Sequence, residues 1–197
     1  MADITDEIAA SAAQCVVEEG LEYGPAKRRA LKALGLPPKT PLPNNDQVEA
    51  QVREYIALFC ADTQPAELLA LRQHALMWMQ RLQDFRPYLG GAVWHGTATR
   101  LSDIYLQLFC DDEKSCEIEL INKGVDFEAR TVNGLHGEPV EALSIHSYCK
   151  ELEEEIGVHL LIYEYDDVRG ALKADAQGRV PRGDAVAVQK LIEAQSN

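Results

Sequence analysis

The sequence predicts an α+β protein: a helical N-terminal domain, residues 1–85, followed by a small mixed-sheet domain, residues 86–197. Apolar residues recur at three- and four-residue spacing through the first part of the chain, which is typical of amphipathic helices. The pattern changes after Arg86-Pro87, where glycine and threonine interrupt a loop and a segment with a period of two follows. Further alternating segments are separated by helical ones, and this order predicts a sheet packed against helices.

Four helices are predicted in the N-terminal domain. DITDEIAASAAQCVVEE carries an apolar stripe that ends before a glycine, and LPPKTPLPNND is a proline-rich connector that cannot continue a helix. An asparagine or aspartate after that connector is expected to cap the third helix. The predicted limits are Gly20 after the first helix, Gly24-Pro25 and Gly35 around the second, Asn45 or Asp46 before the third, and Pro65 and Asp84 around the fourth.

The mixed-sheet domain begins with the strand DIYLQLFC, on which Asp103, Tyr105 and Gln107 share one face. Asn133-Gly134 predicts a tight turn between two later strands. In chain order, the segments that follow are predicted as helix 111–124, strand 125–132, strand 139–148, helix 148–157 (YCKELEEEIG), strand 158–165 (VHLLIYEY), a loop at 169–184 and a last helix at 184–194.

Composition and charge restrict the function classes. The net charge of −13 argues against broad nucleic-acid binding, which needs a basic field. No apolar run reaches the roughly 18 residues of a membrane helix, and the acidic segment MADITDEIAASAAQ lacks the features of a signal peptide. Five scattered cysteines without metal-ligand spacing indicate free thiols in a reducing compartment. We therefore expect a cytoplasmic protein without a membrane partner, and the sequence leaves the oligomeric state open.

The stretch RPYLGGAVWHGTATRLSDIYLQLF combines groups that suit phosphate binding. Without a Cβ, Gly90 and Gly91 let the backbone approach phosphate oxygens, and Thr97 and Ser102 add hydroxyl donors. Asp103 begins the strand that follows. Carboxylates near such a cradle are the ligands that hold Mg²⁺ between a protein and a nucleoside triphosphate. The same residues also suit an ordinary glycine turn with Asp103 as its cap.

Residues 86–132 resemble the core of the polymerase-β-like nucleotidyltransferase superfamily. In that family an apolar residue and Gly-Gly or Gly-Ser precede a strand that carries Asp-apolar-Asp/Glu, and a third carboxylate comes from a neighbouring strand. Leu89-Gly90-Gly91 matches the first part, or Gly91-Ala92 if the match is set one residue later. GTA at 96–98 and SDI at 102–104 match the stretch that follows. The resemblance implies a nucleotidyltransferase-like fold for the second domain.

The resemblance also implies a set of site residues. Asp103 corresponds to the first carboxylate, and Asp126 is the choice for the third, with Glu128 on the same predicted strand in reserve. Asp103 and Asp126 would then hold metal. The implied cofactors are Mg²⁺ and a nucleoside triphosphate, and the implied reaction moves a nucleoside monophosphate to an unknown acceptor. Without the resemblance, Asp126 and Glu128 equally suit a solvated strand face.

Tyr105 stands where the family has its second metal-binding carboxylate. A neutral phenol is a poor Mg²⁺ ligand near neutral pH. Either a nearby acid (Asp111, Asp112 or Glu128) substitutes for it, or the protein is a degenerate relative that binds a nucleotide or a partner as a regulator. An ATP-dependent ligase or kinase is disfavoured because the sequence contains no GxxxxGK[ST].

The loop RGALKADAQGRVPRGD, residues 169–184, is basic within an acidic chain. Arginine makes planar, bidentate contacts with phosphate, and glycine lets the backbone join in. The loop is therefore a candidate to hold the β- and γ-phosphates of a nucleotide; alternatively, its arginines pair with the acidic segment KELEEEIG. The four cations in question are Arg169, Lys173, Arg179 and Arg182.

Overall fold

The computed structural model describes residues 3–197, which divide into two compact units, one ending at Pro65 and the other beginning at Ala66. The change in the sequence pattern predicts this boundary between residues 85 and 86 instead. The difference is the fourth helix, Gln64–Arg81, whose buried side chains belong to the core of the second unit. A helical pattern identifies an apolar face, but it does not identify the surface against which that face packs.

Within residues 3–65, the chain forms three helices with a common apolar core. The Asp3 side chain caps the first helix, and Gly20 ends it with φ 70°. Asn44 and Gln47 form a capping box at the third, directly before the predicted cap positions. The helices are α1 (Ile4–Glu19), α2 (Tyr23–Ala33) and α3 (Asn45–Phe59).

The second unit combines a sheet with helices, and the predicted α+β class is therefore confirmed. Its strands are β1 (Tyr88–Gly90), β2 (Ile104–Cys110), β3 (Glu128–Asn133), β4 (Pro139–Cys149) and β5 (Glu154–Glu164). Its helices are α4 (Gln64–Arg81), α5 (Gly91–His95), α6 (Lys114–Asn122), α7 (Val168–Ala171) and α8 (Ala185–Ser196). In this part of the described chain the strand order is β1-β2-β5-β4-β3, with β2 and β5 parallel and the other neighbours antiparallel.

Helices cover one face of the sheet. On this face Leu106, Leu143 and Leu160 are fully buried, and they form one cluster with residues of α4, α6 and α8. The Trp78 indole donates to Ser147 Oγ at 2.9 Å on the same face. We call it the covered face.

The opposite face is closed at one end only. There the rings of Phe109 and Tyr163 stack with their centroids 5.5 Å apart, and Ala171 of α7 packs against them. At the other end, Asp103 and His146 are exposed. We call the uncovered part of this face, from Tyr105 to the end that carries Asp103 and His146, the open face.

The predicted helix at 148–157 is wrong. Strand β4 continues to Cys149, a turn follows at 150–153, and β5 begins at Glu154. Glutamate and lysine favour a helix locally. However, Ile156 and Val158 alternate with more exposed residues, pair with β4 and fill the core of the covered face. Tertiary pairing therefore overrides the local preference.

None of the helices within residues 3–197 is long and apolar enough to cross a membrane. The five cysteines, all within the described part of the chain, form no disulfide bonds. Burial raises the pKa of Cys116 to about 12, so this thiol is protonated at neutral pH.

Replacing a leucine of the covered face tests the packing of the sheet unit. Trp78 and Trp94 both lie in this unit, so tryptophan fluorescence reports its unfolding. Leu108 is 0% exposed, and we expect Leu108→Ala to lower the free energy of unfolding in urea by about 2–5 kcal/mol. Leu101 is 48% exposed, and the control Leu101→Ala is expected to change it by less than about 0.5 kcal/mol. Equal losses for the two variants would contradict the assignment of this face.

Candidate functional site

A row of paired residues crosses the sheet at the inner edge of the open face. In the strand register Gly90 lies opposite Tyr105, Tyr105 opposite His159, His159 opposite Ser144, and Ser144 opposite Glu128. Side chains paired in this way stand on the same face and contact their neighbours. The row therefore places two positions of the nucleotidyltransferase-like motif beside a histidine and a serine that the sequence analysis does not select.

Asp103, directly before β2, continues the alternation of that strand onto the open face. Its Oδ2 atom lies 2.9 Å from His159 Nε2, and His159 Nδ1 lies 2.8 Å from Ser144 Oγ. Both ring nitrogens of His159 therefore have partners. The Asp103 side chain is 46% exposed and that of His159 is 12% exposed. The carboxylate is thus presented to solvent, while the ring is held against the sheet.

The ring of Tyr105 packs beside the ring of His159, with centroids 4.9 Å apart and planes inclined by 34°. Tyr105 also lies next to Gly91, where a Cβ would be 3.6 Å from Tyr105 Cδ2. The phenol therefore occupies the space between the glycine pair and the histidine. This is the position at which the resemblance implies a second carboxylate.

Gly90 and Gly91 join β1 to α5. Gly91 is exposed and has φ 68°, a conformation that favours glycine. Gly90 is buried, and a Cβ there would lie 3.2 Å from Gln107 Oε1. The Gln107 Oε1 atom is buried and has no hydrogen-bond partner within residues 3–197. Of the pair, Gly91 is therefore the residue whose backbone is accessible to a ligand.

Arg72 fixes the end of α5. Its Nε donates to Val93 O at 3.0 Å, its Nη2 to Trp94 O at 3.1 Å and its Nη1 to Gln195 Oε1 at 2.9 Å. Arg72 is buried, with 7% of the residue exposed. The three bonds offset the cost of burying its guanidinium. The short helix after the glycine pair is thereby tied to α4 and α8.

Gly157 of β5 makes room for the carboxylate of Asp103. A Cβ at position 157 would lie 2.7 Å from both Cγ and Oδ1 of Asp103. A Cβ carbon does not approach an atom to which it is not bonded so closely. Any side chain at this position would therefore displace the carboxylate from His159.

Thr97 and Ser102 differ in their access to a ligand. Thr97 is 3% exposed, and its Oγ1 has no hydrogen-bond partner in the described part of the chain. Ser102 Oγ accepts a bond from Thr99 N at 3.0 Å and so supports the turn before β2. Thr97 is thus too buried to contact a ligand on the surface, whereas the Ser102 hydroxyl can still donate a hydrogen bond.

The strand order separates the carboxylates that the resemblance implies. Because β5 and β4 lie between β2 and β3, Glu128 is three strand spacings, about 14 Å, from β2. Asp126 lies in the exposed connection between α6 and β3. The expectation that these residues lie on a strand beside Asp103 is wrong, since the strands that pair with β2 are β1 and β5. The reserve acids Asp111 and Asp112 follow the other end of β2.

The basic loop at 169–184 covers the closed end of the face. Ala171 packs against Phe109, and the Trp94 indole donates to Val180 O at 2.8 Å. Asp103 and Phe109 are six residues apart on one extended segment, which corresponds to about 20 Å. The first part of the loop is thus anchored at the opposite end of β2 from Asp103, whereas its last part pairs with β1 through Leu89 and Gly183.

Two of the four predicted phosphate-binding cations of this loop have partners within it. Arg182 Nη1 donates to Ala171 O, and burial lowers the pKa of the Arg182 guanidinium. Arg179 Nε forms an ion pair with Asp175 at 3.0 Å. Arg169 and Lys173 are exposed. These last two cations are the ones that the structure leaves accessible to an anion.

The donor set of the open face does not fit a three-carboxylate Mg²⁺ site. Mg²⁺ favours oxygen ligands in an octahedral arrangement, whereas the group beside the Asp103 carboxylate is an imidazole nitrogen. Within residues 3–197 no three histidine, cysteine, aspartate or glutamate side chains are grouped closely enough to hold a metal ion. A protein site for metal here consists of Asp103 and His159 alone, and any further ligands must come from elsewhere.

Asp103, His159 and Ser144 are connected in the order found in serine hydrolases. A serine nucleophile also needs donors aimed at the oxyanion that forms in the reaction. Ser144 lies in β4, which pairs with β3 on one side and with β5 on the other, so the backbone donors around it are used in the sheet. The connection therefore orients the His159 ring and does not activate Ser144.

Comparison with known proteins gives partial structural similarity only. No family model matches the chain, and no curated protein matches its sequence. Solved structures that match in part are a cytoplasmic RNA terminal U-transferase (16% identity, TM-score 0.37), Cid1 in complex with the UTP analogue UMPNPP (16%, 0.33) and the Cid1 poly(U) polymerase with MgGTP bound (17%, 0.32).

These matches cover 55%, 51% and 51% of this chain and 36%, 31% and 32% of the matched chains, so the chain spans about a third of their length. TM-scores of this size do not establish a shared fold. Membership of the nucleotidyltransferase superfamily therefore stays a proposal.

A double-mutant cycle tests the contact between Gly157 and Asp103. We expect Gly157→Ala to lower the free energy of unfolding by about 0.5–1.5 kcal/mol, because the added methyl group displaces the Asp103 carboxylate from His159 and breaks their hydrogen bond. In the Asp103→Ala background the overlap is removed, and the same substitution is expected to cost less than half as much. Urea denaturation followed by tryptophan fluorescence measures both values. An equal cost in the two backgrounds would show that the carboxylate does not lie over Gly157.

Proposed function

We propose that this chain is a nucleotidyltransferase-like protein that binds a nucleoside triphosphate on its open face and acts as a nucleotide-dependent regulator. The observation that carries the proposal is the surroundings of Asp103: a tyrosine at the expected second carboxylate, a histidine on the neighbouring strand and both predicted third carboxylates elsewhere. Two-metal transfer depends on several carboxylates that clamp both metals. Binding requires less, and the accessible backbone at Gly91 beside an exposed face supports it.

The open face supplies complementary contacts for a nucleotide. The exposed backbone of Gly91 is available to phosphate oxygens, and the adjacent ring of Tyr105 offers an apolar surface. Aromatic rings bind the planar faces of bases by stacking, with little dependence on which base is present. The base preference is therefore not set by Tyr105.

Transfer of a nucleoside monophosphate to an unknown acceptor is the second candidate function. The exposure of Asp103 favours it, because a carboxylate that reaches solvent is suited to accept the proton of an acceptor hydroxyl. In that reaction the hydroxyl oxygen attacks the α-phosphate and pyrophosphate leaves. The two candidates share the nucleotide site and differ in whether pyrophosphate is released.

Calorimetric titration with ATP, GTP, CTP and UTP tests the binding proposal. In the presence of a divalent metal we expect at least one of them to bind more tightly than millimolar. Asp103→Asn should weaken that binding about tenfold, since a metal-bound carboxylate is lost. In the presence of EDTA the same substitution should not weaken binding, because Asp103 then only repels the triphosphate.

The matched control is Asp111→Asn, which makes the same change of charge at an exposed aspartate beyond the other end of β2. It is expected to leave both affinities unchanged. If no nucleotide binds better than millimolar, or if both variants weaken binding equally, the proposed site is wrong.

Release of labelled pyrophosphate distinguishes the regulator from the transferase. We expect wild-type protein, incubated with a triphosphate, metal and a cell extract as the source of acceptors, to release no more pyrophosphate than Asp103→Asn. Tyr105→Asp adds the carboxylate that two-metal chemistry lacks, and we expect it to raise the affinity for metal and nucleotide. If wild-type protein releases clearly more pyrophosphate than Asp103→Asn, the protein is a transferase and the regulator proposal is wrong.

A further inference from the structure

Strand β3 forms one edge of the sheet, and its outer side has no backbone partner among the described residues. The opposite edge differs, because β1 has only three residues and Leu89 exchanges two backbone hydrogen bonds with Gly183. Strand β3 has six residues, five of them exposed, and contains neither proline nor glycine. An uncovered edge of this kind is a template for another strand. We propose that β3 pairs antiparallel with β3 of a second copy of this chain, centred on Ala129, and so joins two sheets into one.

The charges of β3 select this register. A two-fold axis perpendicular to the sheet sets one residue opposite its own copy, and with Ala129 at the centre Glu128 lies opposite Arg130 of the second copy, twice in the dimer. Both side chains are exposed, and neither forms an ion pair with another described residue. A register centred on Glu128 or on Arg130 sets like charges opposite each other, which is unfavourable. A register centred on Thr131 sets Arg130 opposite Val132 and pairs no opposite charges.

No helix of the described chain covers β3. Ala129 and Thr131 pair with Leu143 and Glu141 and therefore stand on the covered face, yet both are exposed. Lys114 of α6 lies 3.6 Å from Glu141 Oε1, so α6 reaches as far as β4. The layer of helices thus stops one strand short of the edge and leaves room above β3 for the corresponding part of a second copy.

The flank of α6 that faces β3 carries two exposed isoleucines. Ile118 and Ile121 follow Lys114 by four and seven residues and therefore stand on the same side of the helix. They are 54% and 64% exposed. Helix α6 runs back along the sheet from the end of β2 to the start of β3, and one turn of about 5.4 Å spans roughly the distance from Thr131 to Ala129. The isoleucines therefore lie near the level of the proposed axis, where they face those of the second copy across the paired strands.

This pairing leaves the proposed nucleotide site uncovered. The axis is perpendicular to the joined sheet, so both open faces lie on the same side of it. Asp103 precedes β2, and two strands separate β2 from β3. The inference is therefore independent of the proposed function. Asp103→Asn is expected to weaken nucleotide binding and to leave the dissociation constant of the dimer unchanged.

Sedimentation equilibrium of the full chain, over a wide range of protein concentration at physiological salt, tests the proposal. The interface consists of one strand pair and the isoleucine flanks, which is small for a stable complex, so we expect a reversible dimer with a micromolar dissociation constant. Long-range repulsion between two chains of net charge −13 also keeps the affinity modest. A chain that stays monomeric at millimolar concentration would overturn the proposal.

Exchange of charges tests the pairing of Glu128 with Arg130. Glu128→Arg and Arg130→Glu each set like charges opposite each other, so each variant alone should dimerise about tenfold more weakly than wild type. In an equimolar mixture of the two variants every arginine lies opposite a glutamate, and a hybrid dimer should form with nearly wild-type affinity. The control Glu193→Arg makes the same change of charge at an exposed position of α8 and should leave the dissociation constant unchanged. A mixture that dimerises no better than its components would overturn the register.

A cysteine at the centre of the interface provides a test that does not rely on loss of binding. Ala129 lies opposite its own copy, with Cα atoms about 4.5–5.5 Å apart, a separation that a disulfide bond spans. Ala129→Cys should therefore form a covalent dimer with oxidised glutathione as the oxidant. Thr131→Cys, equally exposed on the same face, would be more than about 13 Å from its copy and should not. Equal cross-linking of the two variants, or none in either, would overturn the pairing centred on Ala129.

A neutral substitution tests the flank of α6. Ile121 and Val186 of α8 are each 64% exposed, so Ile121→Ser and Val186→Ser should have similar small effects on unfolding in urea, followed by tryptophan fluorescence. Only Ile121→Ser is expected to weaken the dimer. Equal dissociation constants of the two folded variants would show that α6 does not take part in the interface and would overturn this arrangement of the two copies.

Discussion

The parallel pairing of β2 with β5 is the interaction on which the rest of the second unit depends. It buries alternate apolar side chains of both strands on the covered face, and by the same alternation it fixes which residues stand on the opposite side. Because the register sets Tyr105 beside His159, Asp103 reaches Nε2 of that ring. A shift by one residue would turn Asp103 and Tyr105 into the core and expose Ile104.

Charge is the second constraint. The chain has a net charge of −13, and the open face carries Asp103 as an exposed carboxylate, with Glu128 further along the same face. A triphosphate is itself strongly negative, so it is repelled from such a surface unless a cation lies between them. The exposed cations of the basic loop are anchored at the other end of β2. A triphosphate that binds near Asp103 therefore needs a cation between the two.

Elements governed by neighbours in sequence could be predicted, and those governed by strand order could not. The helices of the first 85 residues follow from caps and apolar spacing, and β2 follows from its alternation. The third carboxylate was placed on the next strand along the chain, but β5, the last strand, inserts beside β2. His159 could have been noticed as a polar residue in an apolar alternating strand; its link to Asp103 could not, since 56 residues separate them. The same limitation concealed Gly157, whose role depends on a contact with Asp103.

The stacked rings of Phe109 and Tyr163 make the two ends of this sheet surface different. They cover the sheet at one end of β2 and β5, with α7 packed against them, while Asp103 at the other end of β2 is exposed. The segment from Phe109 to Asp103 is about 20 Å long, so the covered and the exposed ends are well separated. A ligand that lies against the exposed end is bounded by the stacked rings on one side, and a longer chain attached to it has room on the Asp103 side.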